Sequence, residues 1–202
     1  MVERLLDMAQ NLPLGTYTLS DKDKEYAERF YGYICAGADE SRVLGYYAYR
    51  ADSGDFVAHY IAGLCYYLAL DFANARKCFE SICAKSDSQS TFRHIDSSEI
   101  QINAKDLQKI KARCYRHIGV MYDYGRGVEQ SYNKAVELYQ KACDLGVADA
   151  FCNLGYMYDE GLGVNQDKQT ALQLYKKACD MGNETGCKNY RILRDELDGR
   201  WW

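Results

Sequence analysis

GVMYDYGRGVEQSYNKAVELYQKACDLGVADAFCNL, residues 119–154, runs without a gap into GYMYDEGLGVNQDKQTALQLYKKACDMGNETGCKNY, residues 155–190. By direct count, 17 of the 36 aligned positions are identical. A period of this length means a supersecondary unit stacked on copies of itself. Each copy reads as two helices. Ala135, Leu138, Tyr139 and Ala142 form an apolar stripe of helical period, repeated by Ala171, Leu174, Tyr175 and Ala178. Ser131 and Asp167 stand where an N-cap is wanted, and Gly146 and Gly182 follow the last turn as residues able to take positive φ. Gly125-Arg126-Gly127 and Gly161-Leu162-Gly163 turn the chain between the two helices. Gly119 and Gly155 fall inside helices, where glycine costs about 1 kcal/mol relative to alanine, so they mark a close helix–helix approach.

The pattern extends backward in a looser form. Setting Cys83 on Cys143 places Ala75 on Ala135 and Phe79 on Tyr139. Gly63 then precedes Ala75 by 12 residues, where Gly155 precedes Ala171 by 16. The missing four residues are the Gly-x-Gly loop. The expected organisation is one continuous array: capping helices within 1–55, a first unit over 56–84, an exposed and loosely ordered Ser/Asp-rich insertion over 85–103, repeats over 104–190, and a C-terminal cap over 191–202. Helices are expected at 22–36 and 41–51, and 184–197 reads as a half-repeat with a polar outer face.

Composition limits the function classes. The chain has 202 residues, 48% hydrophobic and 27% charged, with a net charge of −4. That suits a compact domain or short repeat array and excludes wholesale disorder. A pI near 5.4 and the lack of a basic run argue against nucleic acid or an anionic membrane as the main partner. No apolar stretch approaches the length of a membrane helix. The first residues carry no leader pattern, so a cytoplasmic location is expected, or a periplasmic or secreted one if a leader is removed ahead of Met1.

The residues Ala150, Leu154, Gly155, Tyr158, Gly161, Gly163, Val164, Ala171, Tyr175, Lys177 and Ala178 spell A-x3-L-G-x2-Y-x2-G-x-G-V…A-x3-Y-x-K-A. This signature resembles the Sel-like repeat family, relatives of tetratricopeptide repeats. The KACDLG and KACDMG stretches look like its Helicobacter cysteine-rich protein branch. The resemblance covers 119–190 closely, 56–118 loosely and 1–40 not at all. It implies an all-α fold, a right-handed α-solenoid of helix-turn-helix repeats whose first helices line a concave groove for protein or peptide. It also implies a cross-turn disulfide in each unit of the cysteine-rich branch. Cys179 and Cys187 have the family's eight-residue separation. Cys143 meets Phe151 at that position, with Cys152 one residue on, and Cys114 is displaced likewise with Tyr115 at the matching place. Cys78 aligns with Leu138 and Leu174 and reads as a small buried hydrophobe.

Members of the cysteine-rich branch are often classed as β-lactam-binding or β-lactam-hydrolysing, which makes that activity the alternative function. Ser131-Tyr132-Asn133-Lys134 has the Ser-x-x-Lys spacing, yet its repeat partner begins with Asp167, so Ser131 reads as a cap. No catalytic residues are assigned. Cys114 and His117 lie one helical turn apart and read as helix neighbours. Cys83, His94, Cys114 and His117 match no common zinc spacing. No cofactor and no metal are expected.

Carrying the tetratricopeptide groove positions over residue by residue gives Tyr60, Tyr67, Arg113, Arg116, Asp123, Tyr124, Asp149, Cys152, Tyr156, Asp159, Glu160, Lys188, Asp195 and Glu196. The series passes from aromatic through a short basic step to acidic, without the repeated Lys and Asn clamp for a terminal carboxylate. An extended or helical segment with a basic stretch suits it as ligand. The 19 tyrosines fill inter-helix layers, line a binding surface, or do both. The function expected is non-enzymatic protein recognition, as an adaptor, assembly factor or toxin-neutralising immunity protein, with a redox-responsive scaffold as a further alternative. The partner is another protein or a peptide, with no nucleic acid and no membrane insertion. The sequence does not specify an oligomeric state.

Overall fold

The computed structural model describes residues 56–68, 70–84, 91–93, 99–101 and 104–199. The capping helices expected within 1–55, most of the insertion and Trp201-Trp202 lie outside these residues. The chain divides into two compact units, Met1–Leu107 and Gln108–Trp202.

The first unit contains α1 (Phe56–Leu68) packed on α2 (Phe72–Cys83). Ala75, Phe79 and Ile82, spaced four and three apart, are the residues α2 buries. Gly63 admits the Phe79 ring so closely that a Cβ there would lie 2.6 Å from it. Between the helices the chain turns in three residues, closed by Leu70 and Asp71 N–H groups donating to the Tyr67 and Tyr66 carbonyls. Asp71 caps α2 by accepting from the Asn74 N–H at 3.2 Å. Within the Ser/Asp-rich insertion, expected to be loosely ordered, β1 (Thr91–Arg93) pairs antiparallel with β2 (Glu99–Gln101). Phe92 stands opposite Ile100. Runs of three residues are too short for their alternation to be read from sequence.

The second unit begins within α3 (Ala104–Tyr124) and continues through α4 (Tyr132–Asp144), α5 (Ala148–Glu160), α6 (Lys168–Asp180) and α7 (Glu184–Leu197). Helices α3, α5 and α7 are the first members of successive pairs, and α4 and α6 the second members. In sequence order α4 packs on α5, α5 on α6 and α6 on α7, while α5 and α7 also touch directly. The interior is the twice-used stripe: Ala135, Tyr139 and Ala142 from α4, Ala171, Tyr175 and Ala178 from α6, with Ala150, Leu154 and Met157 of α5 and Leu193 of α7. The close approach expected at the mid-helix glycines is present. A Cβ on Gly119 would lie 2.7 Å from the Tyr139 ring, and one on Gly155 2.8 Å from the Tyr175 ring.

The loops repeat as closely as the helices. Gly125, Gly127, Gly161 and Gly163 all take positive φ, and Gly163 sits where a Cβ would be 2.5 Å from the Tyr132 backbone. The second loop therefore rests on the start of α4. After α4 and α6 the chain reverses through Schellman motifs. Val147 N–H donates to the Ala142 carbonyl and Gly146 N–H to that of Cys143, and Asn183 and Gly182 do the same toward Ala178 and Cys179. Ser131, Asp167 and Asn183 cap α4, α6 and α7. Cys78, expected as a buried hydrophobe, is half-buried, as are Leu138 and Leu174 at the matching positions. On a helix pair this shallow that position sits at the edge of the core.

Candidate protein-binding face

Five positions on each first helix of the second unit recur at the repeat period. They are Arg113, Asp149 and Thr185; Arg116, Cys152 and Lys188; Val120, Tyr156 and Ile192; Asp123, Asp159 and Asp195; and Tyr124, Glu160 and Glu196. Helical spacing places each set on one side of its helix. An apolar row thus crosses the three helices, carboxylates gather toward the helix C-termini, and Arg113, Arg116 and Lys188 lie on the N-terminal side of that row. Tyr124 is 62% exposed, Ile192 46% and Tyr156 44%, while Val120 is half-buried. Ile192 was missed in the sequence reading because an isoleucine in an amphipathic helix reads as core. Its 36-residue register with Tyr156 was the available signal.

Several expected groove residues serve the fold instead. Tyr60, in the first unit, is buried with its ring 5.9 Å from that of Phe79. Tyr67 is half-buried and meets Phe72 edge-on at 5.3 Å. Asp123 is only 8% exposed and accepts a 3.0 Å hydrogen bond from the buried Tyr139 hydroxyl. Burial pushes its carboxyl up, against the opposing effect of that bond. Asp159 repeats the arrangement, with the Tyr175 hydroxyl at 3.4 Å, but is half-buried. Gln130 and Gln166 each donate from Nε2 to the backbone carbonyl of the same aspartate, at 2.7 Å. Together the tyrosine and glutamine tie the end of each first helix to the helix and loop that follow. Cys152 is buried.

The basic step is partly spent internally. Arg116 Nε lies 3.9 Å from Asp149 Oδ2, and its Nη2 is 3.0 Å from Nε2 of the buried His117. Asn183 Nδ2 donates to the other oxygen of Asp149 at 2.6 Å, joining the start of α5 to the cap of α7. Arg113 is half-buried and Lys188 exposed.

At the opposite end Lys168 of α6 pairs with Glu196, and Arg194 pairs with Asp195 at 3.1 Å. Partial burial, joined by the charges of Glu160 and Glu196, pushes the Asp159 carboxyl up against the pull of Lys168. Glu160 is exposed at the edge of this cluster, one helical turn from Tyr156. Burial, and after it the charge of Glu160, pushes the Tyr156 hydroxyl up.

Cys179 and Cys187 form a disulfide, with Cα atoms 4.4 Å apart. In the preceding unit Phe151 replaces the second cysteine and lies under the Lys177 ammonium at 4.3 Å. Cys143 and Cys152 are buried thiols there, pushed by burial up to about 12 and about 11. They are inert as nucleophiles near neutral pH. Ser131 accepts from the Lys134 backbone N–H at 3.5 Å, as a cap does. Among the described residues no three His, Cys, Asp or Glu side chains stand together as a metal site, and His94 lies outside them. No helix among them is long and apolar enough to cross a membrane.

The Sel1 repeat model matches residues 112–147 and 148–183. No curated protein matches the sequence. Among solved structures, the chain is similar to c5321, a protective antigen of uropathogenic Escherichia coli with an SLR fold, at 26% identity and a TM-score of 0.53. That match covers 71% of this chain but only 26% of the antigen, so the chain spans about a quarter of that protein's length. It is also similar to a Sel1 repeat protein from Oxalobacter formigenes, at 24% identity and a TM-score of 0.52, over 75% of this chain and 98% of that one. Helicobacter pylori cysteine rich protein B matches at 25% identity and a TM-score of 0.38, over 56% and 92% of the two chains. With the repeat loops, the glycine–tyrosine contacts and the period all in place, residues 112–183 match two Sel1 repeats, and the fold is similar to the repeat solenoids of those structures.

Proposed function

We propose that the chain acts by binding a partner protein or peptide through the face formed by α3, α5 and α7. The observation that carries this reading is the set of exposed apolar side chains Tyr156 and Ile192 in one row and Tyr124 at the neighbouring position, beside the carboxylates of Glu160, Asp195 and Glu196. Large apolar side chains rimmed by charge on a rigid scaffold are the usual composition of a recognition surface. Sel1 repeats generally serve as protein-interaction scaffolds, which supports the same reading. Within it the chain works as an adaptor, assembly factor or toxin-neutralising immunity protein. The preferred ligand is an extended or helical segment that sets apolar anchors on the row and a basic stretch against the acidic end. The Cys179–Cys187 disulfide supports action in a non-reducing compartment.

Affinity capture with the intact chain, beside Tyr156→Ala/Glu160→Lys, tests this. Both side chains are exposed, so the double variant should keep the fold. A stoichiometric partner held by the intact chain and lost from the variant is expected. Equal retention by both would move recognition off this face.

A further inference from the structure

Helices α5 and α7 occupy the same place in successive units but are held differently. Helix α5 buries Ala150, Phe151, Cys152, Leu154, Gly155 and Met157. Among the described residues α7 buries only Gly186 and Leu193. The reason lies in the repeat register. Among the described residues α5 packs on α4, α6 and α7, whereas α7 packs on α6 and, more lightly, on α5. Where α5 carries Phe151, α7 carries the disulfide-bonded Cys187. Gly186, beside it, brings the backbone so near that a Cβ would lie 2.6 Å from that of Ala178. Other ties to α7 include the partly exposed Lys168–Glu196 pair and Asn183–Asp149 hydrogen bond, the contact of Asn189 Nδ2 with Cys152 Sγ at 3.9 Å, and Tyr190 packed against the edge of the core. The partly exposed polar ties contribute little each.

We propose that the Cys179–Cys187 disulfide is a redox latch on α7, so that its reduction releases this helix while the two repeats stay folded. The step is thiol–disulfide exchange with a dithiol reductant. One thiolate of the dithiol attacks a sulfur of the pair, forming a mixed disulfide and freeing the other cysteine. The second thiol of the reductant then attacks the reductant's own first sulfur in the mixed disulfide and displaces the remaining cysteine as its thiolate. The dithiol leaves as a cyclic disulfide, and Cys179 and Cys187 gain the two electrons and end as two thiols. Both cysteines are partly exposed, while Cys143 and Cys152 are buried. Release removes Lys188, Ile192, Asp195 and Glu196 together, about a third of the proposed binding face. The functional consequence rests on that reading; the latch itself does not.

Amide hydrogen exchange of the full chain, with and without dithiothreitol and in Cys179→Ser/Cys187→Ser, tests the latch without any partner. The loop closed by the bond is short, so its loss should raise exchange in 187–197 by about fifty-fold. Amides of α5 should keep their protection, which also shows that the variant folds. Unchanged protection in α7 would overturn the proposal, since packing alone would then hold the helix. A uniform loss across α4–α7 would overturn it too, making the bond a staple for the whole unit. If the latch operates but partner capture is indifferent to reduction, the binding face is misplaced and the latch stands.

Discussion

His117 lies buried in α3 with Arg116 Nη2 3.0 Å from its Nε2. A guanidinium can only donate, so this ring nitrogen accepts and the imidazole is neutral. Burial first, then the charges of Arg116 and Arg113, hold its pKa well below 6.5. A base whose folded pKa is depressed contributes stability that is fully present above its unfolded value and lost as pH falls through the folded one. The loss therefore begins below about pH 6.5. Urea unfolding of the wild type and His117→Gln across that range should show the wild type losing stability more steeply, because glutamine keeps an acceptor and takes no proton. Parallel curves would contradict the assignment. None of this was legible in the sequence, where His117 was one of three histidines and drew notice only for its spacing from Cys114. The same holds for Asp123 and Asp159. Their carboxylates read as groove residues because the tyrosines that bind them, 16 residues on, come from the next helix.

At the scale of elements the sequence was far more informative, because loops and caps are specified locally. The glycines of both Gly-x-Gly turns, the caps at Ser131 and Asp167, and the four-residue shortfall between Gly63 and Ala75 all mark features the structure contains. The β1–β2 pair was not legible, since its strands are three residues each and depend on pairing. Two glycines of positive φ separate backbone strain from crowding. Gly146 has nothing within 4 Å of a would-be Cβ, whereas Gly163 has the Tyr132 backbone at 2.5 Å. Gly146→Ala should cost about 1–2 kcal/mol for its left-handed conformation alone. Gly163→Ala should cost at least about 1 kcal/mol more, as the loop is forced off α4. Thermal unfolding of the two variants decides this. Equal costs would mean that the loop contact is not part of what holds the repeats together.

For the whole molecule, repetition turns one local solution into a surface. Because α3, α5 and α7 follow the same period, any side chain that points away from the core in one helix has counterparts in the others, and the row Val120, Tyr156 and Ile192 arises without further design. The repeat period relates the positions of this face, although the tetratricopeptide carry-over named Tyr156 and neither Val120 nor Ile192. Which members are exposed, and which are tied inward like Asp123 and Arg116, required the packing. The most direct test replaces Tyr156 with a photo-crosslinking phenylalanine analogue and, in a second chain, replaces Gln173, exposed on α6, with the same group. Irradiation with cell extract should join a partner to the chain labelled at 156 and not to the one labelled at 173. Crosslinking from 173 alone, or from neither position, would contradict recognition through the face of α3, α5 and α7.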